Sequence, residues 1–158
     1  MQVRQSDRDP LAVLADLVSA LVKAIRGLDE RRLRQREAPE KWSILEVIQH
    51  LADNELFCGW LVRHILTCET PQIQDYDQDV WARELRYNDM NLDGVFDQLR
   101  ALRSANLRLF RSLGGEQLER CGVYRESGTV SVGKIIRALA EHDLQHLRQI
   151  ERIKKVIT

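Results

Sequence analysis

Residues 131–157, SVGKIIRALAEHDLQHLRQIERIKKVI, place Val132, Ile135, Ile136, Leu139, Leu147, Ile150, Ile153 and Ile157 at the three- and four-residue spacings of one helix face. Ser131 is a good N-cap, because its hydroxyl accepts from a free N–H of the first turn. Arg137, Glu141, Arg148 and Arg152 fall on the opposite side, as a solvated face should. The stretch reads as a long amphipathic helix, and such a helix needs other elements to cover its apolar side. His142 and His146 lie one turn apart and project toward that side.

Working outward, three more helices of the same kind appear. Asp9 and Pro10 read as an N-cap and first-turn proline, and Leu11, Leu14, Leu17, Val18, Leu21, Val22 and Ile25 then predict a helix over about 10–27. Ser43 and Glu46 fit a capping box. The helix they open carries Ile44, Val47, Ile48, Leu51, Cys58, Val62, Ile65 and Leu66, and Pro71 closes it. Asn91 or Asp93 caps a third helix with Leu92, Val95, Phe96, Leu99, Leu102, Leu107, Leu109 and Phe110, which ends at Gly114 and Gly115. Four long amphipathic helices predict an all-α four-helix bundle. Before the last helix, CGVYRESGTVSV has a Ser-Gly turn between two β-prone pieces, a short hairpin or loop. Residues 71–90 read as a polar connection with one short helical turn. The segment 26–43 carries Arg26, Arg31, Arg32, Arg34 and Arg36, and reads either as a solvated connector or as an anion-binding patch.

The whole chain bounds these readings. Its 158 residues match one domain, 1–158, and 24 basic against 24 acidic residues leave no net field for nucleic acid or an anionic membrane. A small-molecule partner, or a second copy of the chain, is the expectation. No signal-peptide pattern and no membrane-length apolar run is present, so a cytoplasmic protein is expected. Cys58, Cys68 and Cys121 are odd in number and lack CxxC spacing, which argues for reduced thiols.

The histidines carry the chemistry. Two buried imidazoles stacked in a bundle core each need hydrogen-bond partners, and a metal ion would satisfy both. Plain core histidines remain the alternative at this point. On the second helix His50 sits at the edge of the apolar stripe and looks obliquely inward, whereas His64 falls on the polar side. His50 with the His142–His146 pair would give three imidazole ligands, the number a catalytic zinc-type site uses while leaving a position open. Nitrogen donors suit Zn, Ni, Fe or Cu. Glu55 and Asp143 also face inward, where they orient histidines, bond an internal arginine, or reach water near a helix end. Asn54, one turn from His50, lines the pocket or lies on the helix surface. Cys58 is either a core residue or an inward thiol nucleophile; Trp42 and Trp60 pack or wall a pocket, and Tyr76 and Trp81 lie where a substrate mouth would form. Two Glu-x-x-His motifs, a complete calcium loop (Val80 and Arg86 fill its glycine and glutamate positions), P-loop, GxGxxG and GxSxG are all missing, so di-iron, calcium, nucleotide and serine-hydrolase readings lack support.

KWSILEVIQHLADNE (41–55) and SGTVSVGKIIRALAEHDLQHLRQI (127–150) resemble the two signature segments of the DinB-like superfamily, four-helix bundles that include YfiT-like thiol transferases and mycothiol-dependent maleylpyruvate isomerases. The similar layout spans about residues 10–155. The resemblance rests on the Trp-Ser start, the histidine followed by Leu-Ala-Asp, and the late His-Asp-x-x-His with Gln-Ile behind it. It implies that His50, His142 and His146 bind one divalent transition metal (Zn, Ni or Fe) and that the protein is a homodimer. It also implies S-transferase-like chemistry with a low-molecular-weight thiol whose pKa the metal lowers. A metal-dependent hydrolase, or a metal-binding stress or interaction protein without turnover, are the alternatives.

Overall fold

A computed structural model describes residues 8–69, 71–124 and 128–158. Helix α1 (Pro10–Ala24) starts where Asp9 accepts from the Leu11 N–H and buries Val13, Leu14, Leu17 and Leu21. It stops short of the expected residue 27 because Ile25 caps it and Gly27 turns the chain at φ +83°. The connector then forms one turn, α2 (Glu30–Leu33), capped by Asp29. The capping box at α3 (Ile44–Thr67) is present: Ser43 Oγ accepts from the Glu46 N–H at 3.2 Å, and the Glu46 carboxylate accepts from the Ser43 N–H at 2.7 Å.

The connection after α3 holds more structure than a polar loop. It has a short strand β1 (Gln72–Ile73), helix α4 (Gln78–Glu84) and a 3-10 turn at Tyr87–Asp89. Asn91, rather than Asp93, then caps α5 (Leu92–Ser112). After α6 (Gly115–Glu119), strands β2 (Cys121–Tyr124) and β3 (Gly128–Ser131) form the expected hairpin, antiparallel with Cys121 opposite Ser131. Of its expected Ser-Gly turn, Ser127 lies outside the described residues. β1 adds to β2 in parallel, with Gln72 opposite Val123, completing a minor three-stranded sheet. Gly122 permits this, since a Cβ there would meet Ile73 and Ile65 beneath. Ser131 caps α7 (Val132–Ile157) as expected, accepting from the Lys134 N–H.

The fold is a four-helix bundle in which α1 and α3 each pack against both α5 and α7, so α1 faces α3 across a diagonal. Two apolar clusters fix the directions. One joins Val13 and Leu14 of α1 to Leu61 and Ile65 of α3, Leu107 and Phe110 of α5, and Ile135 and Leu139 of α7. The other joins Leu17 and Leu21 to Ile44, Val47, Ile48 and Leu51 of α3, Val95, Phe96 and Leu99 of α5, and Ile150 and Ile153 of α7. Thus α1 and α7 run one way and α3 and α5 the other. Adjacent parallel helices α3 and α5 require a crossover spanning the bundle, which is why their connection is long and carries α4.

Between the clusters lies a buried polar layer of Glu55, Arg103, Asn106 and Asp143. Asn106 reaches it because α3 has Gly59 opposite, where a Cβ would overlap the Asn106 amide. Its Nδ2 donates to the Glu55 backbone oxygen at 3.0 Å and to Oε1 at 2.7 Å. Among the described residues no helix is long and apolar enough to cross a membrane.

Candidate metal centre

His50, in the second turn of α3, and His142 and His146, in the middle of α7, meet across the seam between these helices. His142 Nε2 lies 3.0 Å from Nε2 of His50 and 3.0 Å from Nε2 of His146. One ring nitrogen from each falls within 4.8 Å of the others. The helical register produces this: Val47 and Leu51 put His50 over the core, and Leu139 and Ile150 do the same for the α7 pair. His50 is 1% exposed and His146 9%. Trp42, just before the α3 cap, packs its ring against His50 at 5.0 Å and shields that side.

Burial, followed by the neighbouring imidazoles His146 and His142, pushes His50 down to about 3 from an ordinary value near 6.5. Burial, then His146 and Arg103, does the same to His142, also to about 3. His146 is lowered by burial too, against an opposing bond to Gln149. All three rings are therefore neutral at physiological pH, with lone pairs available, as metal ligands must be.

Their outer nitrogens differ. His146 Nδ1 meets Gln149 Oε1 at 2.7 Å, and His142 Nδ1 meets Asn54 Nδ2 at 3.3 Å. His50 Nδ1 is buried with no hydrogen-bond partner among the described residues. This nitrogen points away from the convergence, so its cost is the same whether or not the Nε2 atoms hold an ion. Three convergent neutral imidazoles, each with its other nitrogen turned away, make a nitrogen-only donor set that fits a divalent transition metal.

The neutral histidines give a sign for acid stability. With metal removed by chelator, the unfolded chain takes up protons below about pH 6.5 that folded His50 and His142 refuse until about pH 3, so stability is lost as pH falls through that window. Asp143 works the other way between about pH 4 and 7, since its folded value is raised. The histidines outnumber it, so unfolding free energy should fall by on the order of 1–2 kcal/mol from pH 7 to pH 5. Urea titrations at the two pH values measure this, and equal or greater stability at pH 5 would refute it.

Glu55 and Asp143 do not orient the histidines. Both pair with an internal arginine: Arg103 Nε donates to Glu55 Oε2 at 2.9 Å, and Nη2 forms ion pairs at 2.8 Å with Glu55 Oε2 and with Asp143 Oδ2. Asn54 and Gln149 take the outer positions instead: Gln149 lies one turn from the histidine it meets, whereas Asn54, one turn from His50, reaches across to His142. Asn54 Oδ1 accepts from the Tyr76 hydroxyl at 3.3 Å and from the Cys58 thiol at 3.8 Å. Tyr76 in turn packs on Phe57 and Trp81. The connection thus brings Tyr76 to the site, while Trp81 acts through it. Burial pushes the Cys58 thiol up to about 12, which makes it a half-buried packing residue and no ready nucleophile. Asp53, next to Asn54, is held by the Tyr87 hydroxyl at 2.6 Å and by Gln98 at 2.8 Å.

His64 stays apart from the cluster, half-buried and stacked on exposed Trp60 at 5.0 Å. Beyond Trp42 opens a groove of about 830 Å³, lined by Arg34, Arg36, Lys41, Glu46, Arg83 and Arg86 among others. Of the five connector arginines, Arg34 and Arg36 are engaged by groups of the fold. Arg36 grips buried Glu46 of the capping box, and Arg34 bonds Glu30 and the Asn88 and Met90 carbonyls, so both tie the connector to the bundle.

A sequence model of the DinB superfamily matches residues 14–150. A protein of Oceanobacillus iheyensis, whose name proposes a metal-dependent hydrolase, is 30% identical over 142 residues, which cover 90% of this chain and 82% of that protein. Among solved structures, YfiT from Bacillus subtilis superposes with a TM-score of 0.86 at 20% identity, over 98% of this chain and 92% of its own; its description proposes a metal-dependent hydrolase with an unusual four-helix bundle topology. The mycothiol-dependent maleylpyruvate isomerase superposes at 0.71 and 12% identity, over 94% of this chain and 63% of its own. At these identities the structural likenesses establish the fold.

Proposed function

This chain belongs to the DinB superfamily, and from that premise we propose that it is a metal-dependent enzyme in which His50, His142 and His146 hold one divalent ion and a low-molecular-weight thiol is the nucleophile of an S-transfer. The observation that carries the reading is the convergence of three neutral Nε2 atoms. Zinc, nickel and iron all suit the donors. An ion held there supplies Lewis acidity that lowers the pKa of a thiol or water meeting it. Trp42 excludes water from one flank, and Asn54 and Gln149 hold the α7 rings in place. A small-molecule substrate, a homodimer and a cytoplasmic location belong to the same proposal.

Hydrolysis is the second reading, favoured by the names of the relatives. The carboxylates favour transfer. Among the described residues none joins the histidine group: Glu55 and Asp143 serve Arg103, and Asp53 serves Tyr87 and Gln98. Hydrolysis of an unactivated bond needs a proton donor for the leaving group, whereas displacement of a good leaving group by a thiolate needs none.

Zinc-loaded protein should therefore accelerate coupling of small thiols to an aryl halide acceptor above the rate of the chelator-treated protein, with little cleavage of an unactivated alkyl ester when no thiol is present. Thiol-independent ester cleavage would shift the assignment to a hydrolase. Rates equal to those of metal-free protein across the whole panel would leave a binding protein without turnover.

A further inference from the structure

We infer that Asn54 is a positioning residue that decides which ring nitrogen of His142 carries its proton, and so whether His142 Nε2 is a hydrogen-bond donor or a metal ligand. The inference rests on the three-histidine reading.

A neutral imidazole has one N–H and one lone pair. Lone pairs facing one another at 3.0 Å repel, and His142 Nε2 stands at that distance from two other Nε2 atoms. The oxygen of Gln149 at 2.7 Å puts the His146 proton on Nδ1 and leaves its Nε2 a lone pair. On the other side, Asn54 Nδ2 donates to His142 Nδ1, which puts the His142 proton on Nε2, aimed at its two neighbours. The Cys58 thiol favours that sense, while the Tyr76 hydroxyl donates or accepts and suits either. The Tyr76 hydroxyl and the Cys58 thiol both point to Oδ1, and the thiol, raised by burial, keeps its proton.

Ligation through Nε2 needs the other tautomer. One proton leaves Nε2 for solvent and one enters at Nδ1, with no net change, and an acceptor must stand opposite Nδ1. A half-turn of the Asn54 amide supplies it. Oδ1 then accepts from His142 Nδ1–H, while Nδ2 donates to the Tyr76 hydroxyl oxygen, so Tyr76 keeps a partner in both arrangements. An amide is suited to this role because its two ends are alike in shape and opposite in sense.

The test is the tautomer itself, read by long-range proton–nitrogen NMR on protein with ¹⁵N-labelled histidine. In chelator-treated wild type His142 should be the Nε2–H form and His146 the Nδ1–H form. Zinc should convert His142 to Nδ1–H and leave His146 unchanged. Asn54→Asp offers only acceptors, so His142 should be Nδ1–H even without zinc, and zinc should bind at least as tightly as to wild type. Asn54→Leu should weaken zinc binding by about 10–100-fold. A His142 already Nδ1–H in metal-free wild type, or equal weakening in both variants, would overturn the assignment. Failure of the wild type to take up zinc would instead overturn the three-histidine reading, and the metal-free tautomer would still judge Asn54.

Discussion

Replacing His142 with alanine is expected to abolish tight zinc binding, with a loss larger than the roughly 10–100-fold that removal of an outer partner costs. The geometry makes His142 the worst ligand to lose. Its Nε2 is the one within 3.0 Å of both other Nε2 atoms, so its removal leaves His50 and His146 without the ring that joins them. Two imidazoles then remain where a closed or catalytic site uses three or more protein ligands. Elemental analysis after zinc loading and desalting should find one ion per wild-type chain and none per variant. The thermodynamic readout runs in parallel. Zinc at 100 times its dissociation constant should stabilise the wild type by about 2.7 kcal/mol, and the variant by nothing measurable. His64→Ala, away from the cluster and stacked on Trp60, is the control and should keep full occupancy. A wild type holding no more zinc than the His142 variant would remove the site.

Why the sequence revealed the histidines but not their surroundings follows from the range of each signal. Capping boxes and 3.6-residue periodicity are local, so Ser43, Ser131 and the inward faces of His50, His142 and His146 were all legible. The relative direction of α3 and α5 is a tertiary choice, and the crossover with β1 and α4 follows from it. β1 is two residues long and exists only because β2 and Gly122 lie beside it. The roles of Glu55 and Asp143 turned on a partner from a third helix. That partner left a trace, since Arg103 stands four residues from both Leu99 and Leu107 in the apolar stripe of α5, a core position for a charged residue. Arg34 and Arg36 left none, as their partners are backbone carbonyls and a capping glutamate reached through the fold.

Arg103→Met is expected to destabilise the protein by about 3–5 kcal/mol, the cost of breaking a buried ion pair from one side. The guanidinium joins all four long helices. It donates through Nη1 to the Leu14 carbonyl of α1 at 2.7 Å, and through Nε and Nη2 it meets Glu55 of α3 and Asp143 of α7. One cation serves two acids, and the imbalance shows in Asp143. Burial, assisted by the Glu55 charge and opposed by Arg103, pushes its carboxyl up to about 7. Without Arg103 nothing opposes burial, Asp143 resists ionisation further, and the loss should be larger at pH 8 than at pH 5. Asp143→Asn should cost less than Arg103→Met, because it removes the surplus acid and keeps the cation. The triple variant Arg103→Met, Glu55→Gln, Asp143→Asn should recover part of the loss, since a neutral layer carries no unpaired charge. Urea midpoints at constant m-value measure all three. A loss under about 1 kcal/mol in Arg103→Met would mean that water reaches the layer. The same series separates fold from site: once the triple variant is stable, zinc should still bind at His50, His142 and His146, because none of these rings is hydrogen-bonded to the layer.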